Sequence, residues 1–253
     1  MKYSLSARIL ETEELKLNKK NGIHPDFKEF ASLAHDCGFD GVNLRFWQID
    51  PATVSDSKIS AMKDILDEKN IEVCVIHGII SKEFIERAKF LNVKVIQAVP
   101  ENMDLVPDDM LVAMQMHTGG DFETIKDCSK SFAGKYSDPR IGIFPEPGNL
   151  QLSHEKFTEN MFLSLQERIY GWFFQSIEIG SGDISIELKN GKKTQAQRVV
   201  IWENSQLDML LFTQAIKKCA VGDFFNINEP PPVNFEIKYF LHKTLKFIKE
   251  TVN

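Results

Sequence analysis

Two glutamates stand beside prolines that stiffen the backbone. Glu146 lies between Pro145 and Pro147-Gly148, and Glu229 is followed by Pro230-Pro231-Pro232. Proline locks φ and removes a backbone donor, so an acid in such a segment is held in one direction, as a group that moves a proton or grips a cation must be. Two histidines close short apolar runs, His77 after Val75-Ile76 and His117 after Met114-Gln115-Met116. Amide side chains recur at comparable places: Gln97, Gln115, Asn149, Gln175 and Asn228. Carboxylate, imidazole and amide oxygen together suit a hard divalent cation such as manganese or magnesium. The same groups can exchange protons with a bound substrate. A histidine at the end of a strand also serves as a plain hydrogen-bonded structural residue, and both readings stay open at this point.

Other chemistries lack their signatures. There is no Gly-x-Ser-x-Gly elbow, no Walker-type loop and no Gly-x-Gly-x-x-Gly fingerprint. Cys37, Cys74, Cys128 and Cys219 are far apart with no Cys-x-x-Cys pair, which argues against a zinc-finger or disulfide framework and for a reducing compartment. Met103, Met110, Met114 and Met116 read as core and rim filling. Asn228-Glu229-Pro230 looks like the acid/base tripeptide of some barrel glycosidases, but there it belongs to the fourth strand, and here it would follow the eighth.

The elements that must position these residues are legible as an alternation of short apolar runs with longer amphipathic ones, the pattern of a parallel sheet with crossover helices. Strands are expected at 3–9, 40–46, 71–76, 93–99, 110–116, 141–144, 170–179 and 223–227. Helices are expected from about Pro25 to Asp36 and over 55–69, 81–90, 122–132, 154–169, 206–219 and 233–252. Only a short loop, 101–109, separates the fourth strand from the fifth, so that crossover is truncated. After the seventh strand, Asn190-Gly191 between alternating runs predicts an inserted β-hairpin over 184–202. Eight strands with crossovers predict an α/β fold, a (β/α)8 TIM barrel forming a single domain over residues 1–253.

In such a barrel the C-terminal ends of the strands converge on one mouth. Its polar residues would be Arg45 and Trp47, His77, Gln97, Gln115 and His117, Glu146 and Asn149, Gln175 and Glu178, then Asn228 and Glu229, in strand order. Residues of ordinary globular proportions, 43% hydrophobic and 26% charged, can supply the core. A formal net charge of −6 argues against a nucleic-acid partner. No apolar stretch reaches the roughly 18 residues of a membrane-spanning helix, and the first residues contain no apolar signal core. A soluble, cytoplasmic protein without membrane partners is expected.

These residues also carry a resemblance. The segments Gly38-Phe39-Asp40-Gly41-Val42-Asn43-Leu44, Val75-Ile76-His77, Val112-Ala113-Met114-Gln115-Met116-His117 and Ile141-Gly142-Ile143-Phe144-Pro145-Glu146-Pro147-Gly148-Asn149, with a last strand ending at Glu229, follow one another as in the xylose isomerase-like barrel superfamily. That superfamily includes sugar isomerases and epimerases, inosose dehydratases and endonuclease IV-like proteins. The resemblance implies a divalent metal held by Glu, Asp, His and Glu on strands 5 to 8, with a further histidine after strand 3. The matching positions here are Gln115, Glu146, Gln175, Glu229 and His77, and the family's Asp-Pro-Gly-His reads Glu146-Pro147-Gly148-Asn149. Amides in place of a carboxylate and an imidazole weaken cation binding.

Two functions follow from the resemblance. In one, Glu146 and Glu229, with Gln115 and Gln175, hold manganese or magnesium, and Glu146, Glu229 and His77 do the proton chemistry of a sugar or polyol isomerase or epimerase. In the other, the chain is a metal-free carbohydrate-binding or regulatory module. Trp47 would offer a stacking platform, and Arg45, His117, Asn149, Gln175 and Glu178 would complete the binding surface. The nuclease branch is disfavoured by the acidic balance and the scarcity of histidines. The hairpin is expected to cover the mouth or to form a homodimer contact.

Overall fold

Buried β-branched runs and capped amphipathic helices alternate along the chain in the computed structural model, which describes residues 1–10, 26–219, 221–228 and 235–252. Strand β1 (Lys2–Ser6) leads through a 3-10 turn (Ala7–Leu10) toward helix α1 (Phe27–Asp36). Then come β2 (Gly41–Leu44), a single helical turn (Phe46–Ile49), α2 (Asp56–Glu68), β3 (Glu72–His77), α3 (Lys82–Phe90) and β4 (Val95–Gln97). Only a 3-10 turn (Met103–Leu105) separates β4 from β5 (Leu111–Gln115), which is the truncated crossover. Next are α4 (Ile125–Ala133), β6 (Ile141–Phe144), α5 (Pro147–Leu152), a 3-10 segment (Leu163–Arg168) and β7 (Trp172–Phe174). The hairpin strands β8 (Ile177–Glu187) and β9 (Lys193–Arg198) precede α6 (Met209–Cys219), β10 (Phe224–Ile227) and α7 (Ile237–Val252). Strands β1 to β7 and β10 belong to one eight-stranded sheet. The fold class is α/β, of the (β/α)8 barrel type.

By contact density the chain forms two compact units, Met1–Ala113 with Phe224–Pro230, and Met114–Asp223 with Pro231–Asn253. In the first, β1 pairs in parallel with both β10 and β2, and β2–β3, β3–β4 and β4–β5 follow in order. The register places Leu5 opposite Val42 and Ile227, Ser6 opposite Asn43, and His77 opposite Gln97. Leu5, Val42, Val75, Ile96 and Ile227 are fully buried; burying each such side chain contributes about 1.5–3 kcal/mol. The outer helices start on capping side chains: Asp26 accepts from Lys28 N, Ser55 from Lys58 N and Ser81 from Phe84 N. Gly38, at φ +80°, takes the left-handed residue after the Cys37 cap. Arg87 is buried, yet its guanidinium reaches Ile49 O at 3.0 Å, Val54 O at 2.7 Å and Asp56 Oδ1 at 2.6 Å. It therefore ties the loop after β2 to α2 and α3.

The second unit is built on aromatic side chains. Phe144 of β6 and Phe173 of β7 stack at 4.5 Å, and Trp172 meets Phe162 edge-on at 5.0 Å while its indole N–H donates to Val221 O at 2.8 Å. The helix expected over 154–169 does not form. Instead α5 starts earlier, with Pro147 at its first position, and ends at the Ser153 cap; His154 then takes φ +59°, a conformation no helix continues through. The seventh strand stops at Phe174 rather than Ile179, and Ile177 already pairs with Arg198 in the hairpin. The hairpin thus begins seven residues before the expected Ile184, and its second strand ends at Arg198 instead of running to Trp202. Both Ile179 and Ile184 oppose Ala196, so the residues between them bulge out of the ladder. The turn lies over Asn190-Gly191 as expected, with Gly191 at φ +79°. Pro25 and the start expected for the last helix, residues 233–234, lie outside the described residues. No described helix is long and apolar enough to cross a membrane.

Candidate active site

Glu146 is the centre of the second unit's polar cluster. It follows β6 as the cap residue of α5 and is fully buried. Gln115, at the end of β5, donates its Nε2 to Glu146 Oε2, and Asn149 donates its Nδ2 to the same oxygen at 3.0 Å. The placement follows from the backbone: Met116 N donates to Phe144 O, which fixes the end of β5 beside β6, and Asn149 lies one helical turn after Glu146. Gln175, one residue beyond β7, is buried. The start of α5 lies so near it that a Cβ on Gly148 would sit 2.7 Å from Gln175 O, which is why glycine stands there.

The remaining residues expected to bind substrate in this unit have other engagements. His117 is exposed, with Nδ1 2.9 Å from the Thr118 carbonyl. Glu178 lies in β8, not at the end of a seventh strand, and its Oε1 accepts from Ser205 N at 2.6 Å and Ser205 Oγ at 2.9 Å. Two side chains that sequence reasoning passed over do much of the holding. Buried Glu123 accepts from Gly119 N and, at 2.8 Å, from Lys189 N, which fastens the hairpin turn to the loop after β5. Gln206 clasps the bulged strand by accepting from Ile179 N and donating to Ile179 O, both at 2.8 Å.

In the first unit, His77 ends β3 half-buried and meets the Phe46 ring edge-on at 6.3 Å. Half-buried Arg45 caps the helical turn after β2, its backbone N–H donating to Gln48 Oε1 at 3.0 Å. Trp47 is only 7% exposed and lines a cavity of about 400 Å³ with Phe27, Val54, Met62 and Ile65, in the layer of α1 and α2. Asn43, Gln97, Asn226 and Asn228 are buried. A polar residue inside the apolar run Gly41–Leu44 was the sequence signal for Asn43. Burial pushes the Cys74 thiol up to about 12, helped by Glu72, and the Cys219 thiol up to about 11, so neither is a thiolate nucleophile at neutral pH. Glu229 lies outside the described residues.

Among the described residues, which do not include Glu229, the donor set around Glu146 does not fit manganese or magnesium. Both neighbouring amides turn N–H groups toward the carboxylate, whereas a shared cation needs their carbonyl oxygens. The described residues contain no group of three or more His, Cys, Asp or Glu able to hold a metal ion.

No protein-family model and no curated protein matches the chain. Solved structures do. A xylose isomerase domain protein from Alicyclobacillus acidocaldarius subsp. acidocaldarius superposes at TM-score 0.72 and 11% identity, covering 100% of this chain and 98% of that one. The IolI protein with a bound zinc atom gives TM-score 0.70 and 14% identity over 100% and 98%. D-psicose 3-epimerase with D-tagatose, from Clostridium cellulolyticum H10, gives TM-score 0.69 and 9% identity over 100% of both chains. At these identities the likeness establishes the fold.

Proposed function

We propose, on the premise that the chain has the fold of the xylose isomerase-like TIM barrels, that it binds a small carbohydrate or polyol and that Glu146 transfers a proton on it, as in isomerisation or epimerisation. One observation carries this reading: a fully buried carboxylate at the end of β6, held by two amide donors. A carboxylate held in one direction in this way can take a proton from a substrate placed beside it. Removing a proton from the carbon beside a carbonyl leaves negative charge on that oxygen. Each side-chain amide has two N–H groups, and Gln115 and Asn149 spend one each on Glu146. The second can face the developing oxyanion, where a fixed donor lowers the barrier. Manganese or magnesium, implied by the resemblance, enters no step of this scheme. The proton-handling roles of His77 and Glu229 and the binding roles of Arg45, Trp47, His117, Gln175 and Glu178 rest on the resemblance and belong to the same proposal. So do a cytoplasmic location and a homodimer through the β8–β9 hairpin; unchanged elution in size-exclusion chromatography after shortening 189–197 removes the dimer.

The deciding experiment incubates the chain with D-tagatose, D-allulose and related ketoses in D2O, after EDTA treatment and after manganese or magnesium loading, and follows C–H exchange by NMR. Exchange is expected in the EDTA-treated protein, and Glu146→Gln should slow it by about 10²–10⁴-fold. Exchange that appears only after loading, with about one ion per chain by elemental analysis, would restore the metal-assisted scheme. The second reading, a metal-free binding module, is favoured by the amides that already occupy Glu146 Oε2; binding of a ketose without exchange in either condition selects it.

A further inference from the structure

The cavity of about 400 Å³ in the helical layer of the first unit falls within the size range of small-molecule sites. Phe27 opens α1, Trp47 belongs to the helical turn after β2, Val54 precedes α2, and Met62 and Ile65 are on α2; all of them wall the cavity. Trp47 and Met62 are each 7% exposed, so these walls are fixed in the packed layer. Two aromatic side chains among aliphatic ones suit a flat apolar body, which packs against rings edge-on or offset.

Donors stand among these walls. Gln48 lines the same cavity and is 7% exposed. Its Oε1 accepts from Arg45 N at 3.0 Å, whereas its Nε2, which is not sealed off, has no hydrogen-bond partner among the described residues. A donor in so buried a side chain needs an acceptor, because leaving it unpaired is costly. Lys28 and Lys58, both exposed, also line the cavity, and neither ammonium has a partner among the described residues. The carboxylate in the lining, Asp26, is the cap of α1 and accepts from Lys28 N at 2.7 Å. Phe27 and Lys28 lie in the first turn of α1 and Lys58 in that of α2, and at these ends the helix dipole has the sign that attracts an anion.

We infer that this cavity is a binding site for a small, free aromatic carboxylate. Its ring system packs against Trp47, Phe27 and Met62, and its carboxylate meets Gln48 Nε2 and the ammonium groups of Lys28 and Lys58. An ionised carboxylate only accepts hydrogen bonds, which is what these donors lack. An amine would add donors to donors, and a sugar would set its hydroxyl groups against apolar walls. None of these residues belongs to the Glu146 cluster, so the inference does not depend on proton transfer there. Of the lining residues, Trp47 also figures in the carbohydrate reading, and competition with a ketose separates the two.

The test is calorimetry with naphthoate, with naphthamide as its neutral match, naphthylmethylamine as its cationic match and decanoate as an aliphatic acid. Naphthoate should bind about fivefold or more tighter than the amide and the amine. Lys28→Ala and Lys58→Ala, both at exposed positions, should each weaken it about two- to fivefold, and together about tenfold. Gln48→Glu keeps an acceptor for Arg45 N but turns the inner donor into a carboxylate; it should cost about tenfold or more and shift the preference toward the amine. Ala61→Trp, at an exposed position in the lining, should fill the cavity and abolish binding. Thermal melting checks that each variant folds, and the lysine variants decide the matter if Gln48→Glu does not. No binding of naphthoate, equal binding of the amide, or an affinity that Ala61→Trp and the lysine variants leave unchanged overturns the site. Tighter binding of decanoate overturns the aromatic class, and displacement of naphthoate by D-allulose overturns a site separate from the sugar's. Deuterium exchange on ketoses plays no part in these measurements, so the failure of either reading leaves the other standing.

Discussion

Asn149 Nδ2 donates to Glu146 Oε2 at 3.0 Å from one helical turn away, so its amide holds the buried carboxylate in place. Asn149→Ala should therefore cost about 1.5–3 kcal/mol in urea unfolding, the range for a hydrogen bond to a charged group. Asn149→Asp should cost more at pH 7, because two carboxylates then face each other. A stable Asn149→Asp chain that retains manganese, beside a wild type that also retains it, would show that the cluster is a cation site after all.

Glu123 holds the hairpin turn down through Lys189 N, and Lys189 Nζ adds a 3.2 Å contact to Asp127. Replacing Glu123 by Ala releases two backbone donors from a buried acceptor. The expected outcome is a loss of about 1.5–3 kcal/mol together with faster amide exchange at Gly119 and Lys189. Unchanged protection at Lys189 would mean that the Asn190-Gly191 turn keeps its place without Glu123.

What was legible in the sequence was whatever depends on near neighbours. The apolar run at 71–76 became β3, Asn190-Gly191 became a hairpin turn, and Ser55 and Ser81 cap helices where serine precedes an amphipathic run. The helix expected over 154–169 failed because its pattern ignores the left-handed residue His154 and the competing start at Pro147. Glu178 was placed at a strand end because its apolar neighbours read as one continuous strand, whereas Gln175-Ser176 interrupts it. Gln115, Glu146 and Asn149, singled out in the sequence, lie together in the structure, but the direction in which the amides turn is settled by packing. The partners of Glu123 and Gln206 lie far away in sequence, at Lys189 and Ile179, and no local pattern announces such pairs.

The loop before β6 gives a prediction about acid. Asp138 accepts from Arg140 N at 2.8 Å, Arg140 Nε at 3.2 Å and Arg140 Nη2 at 2.7 Å, and the Arg168 guanidinium binds Ile141 O at 2.9 Å nearby. The Arg140 hydrogen bond holds the Asp138 carboxyl below its ordinary value. An aspartate in the unfolded chain titrates near 3.9. Because the folded value is the lower one, the unfolded chain binds the proton first as pH falls; the stabilisation is complete at neutral pH and is lost between about 4 and the depressed folded value. The pair is partly exposed, with 27% of the Asp138 side chain accessible, so solvent screening keeps its worth near the top of the range of about 0–1 kcal/mol for exposed pairs. Asp138→Asn should then unfold at lower urea than the wild type at pH 7, and the two midpoints should converge once the pH falls below the depressed folded value. A gap of equal size at both pH values would show that Asp138 acts through the shape of the loop and not through its charge.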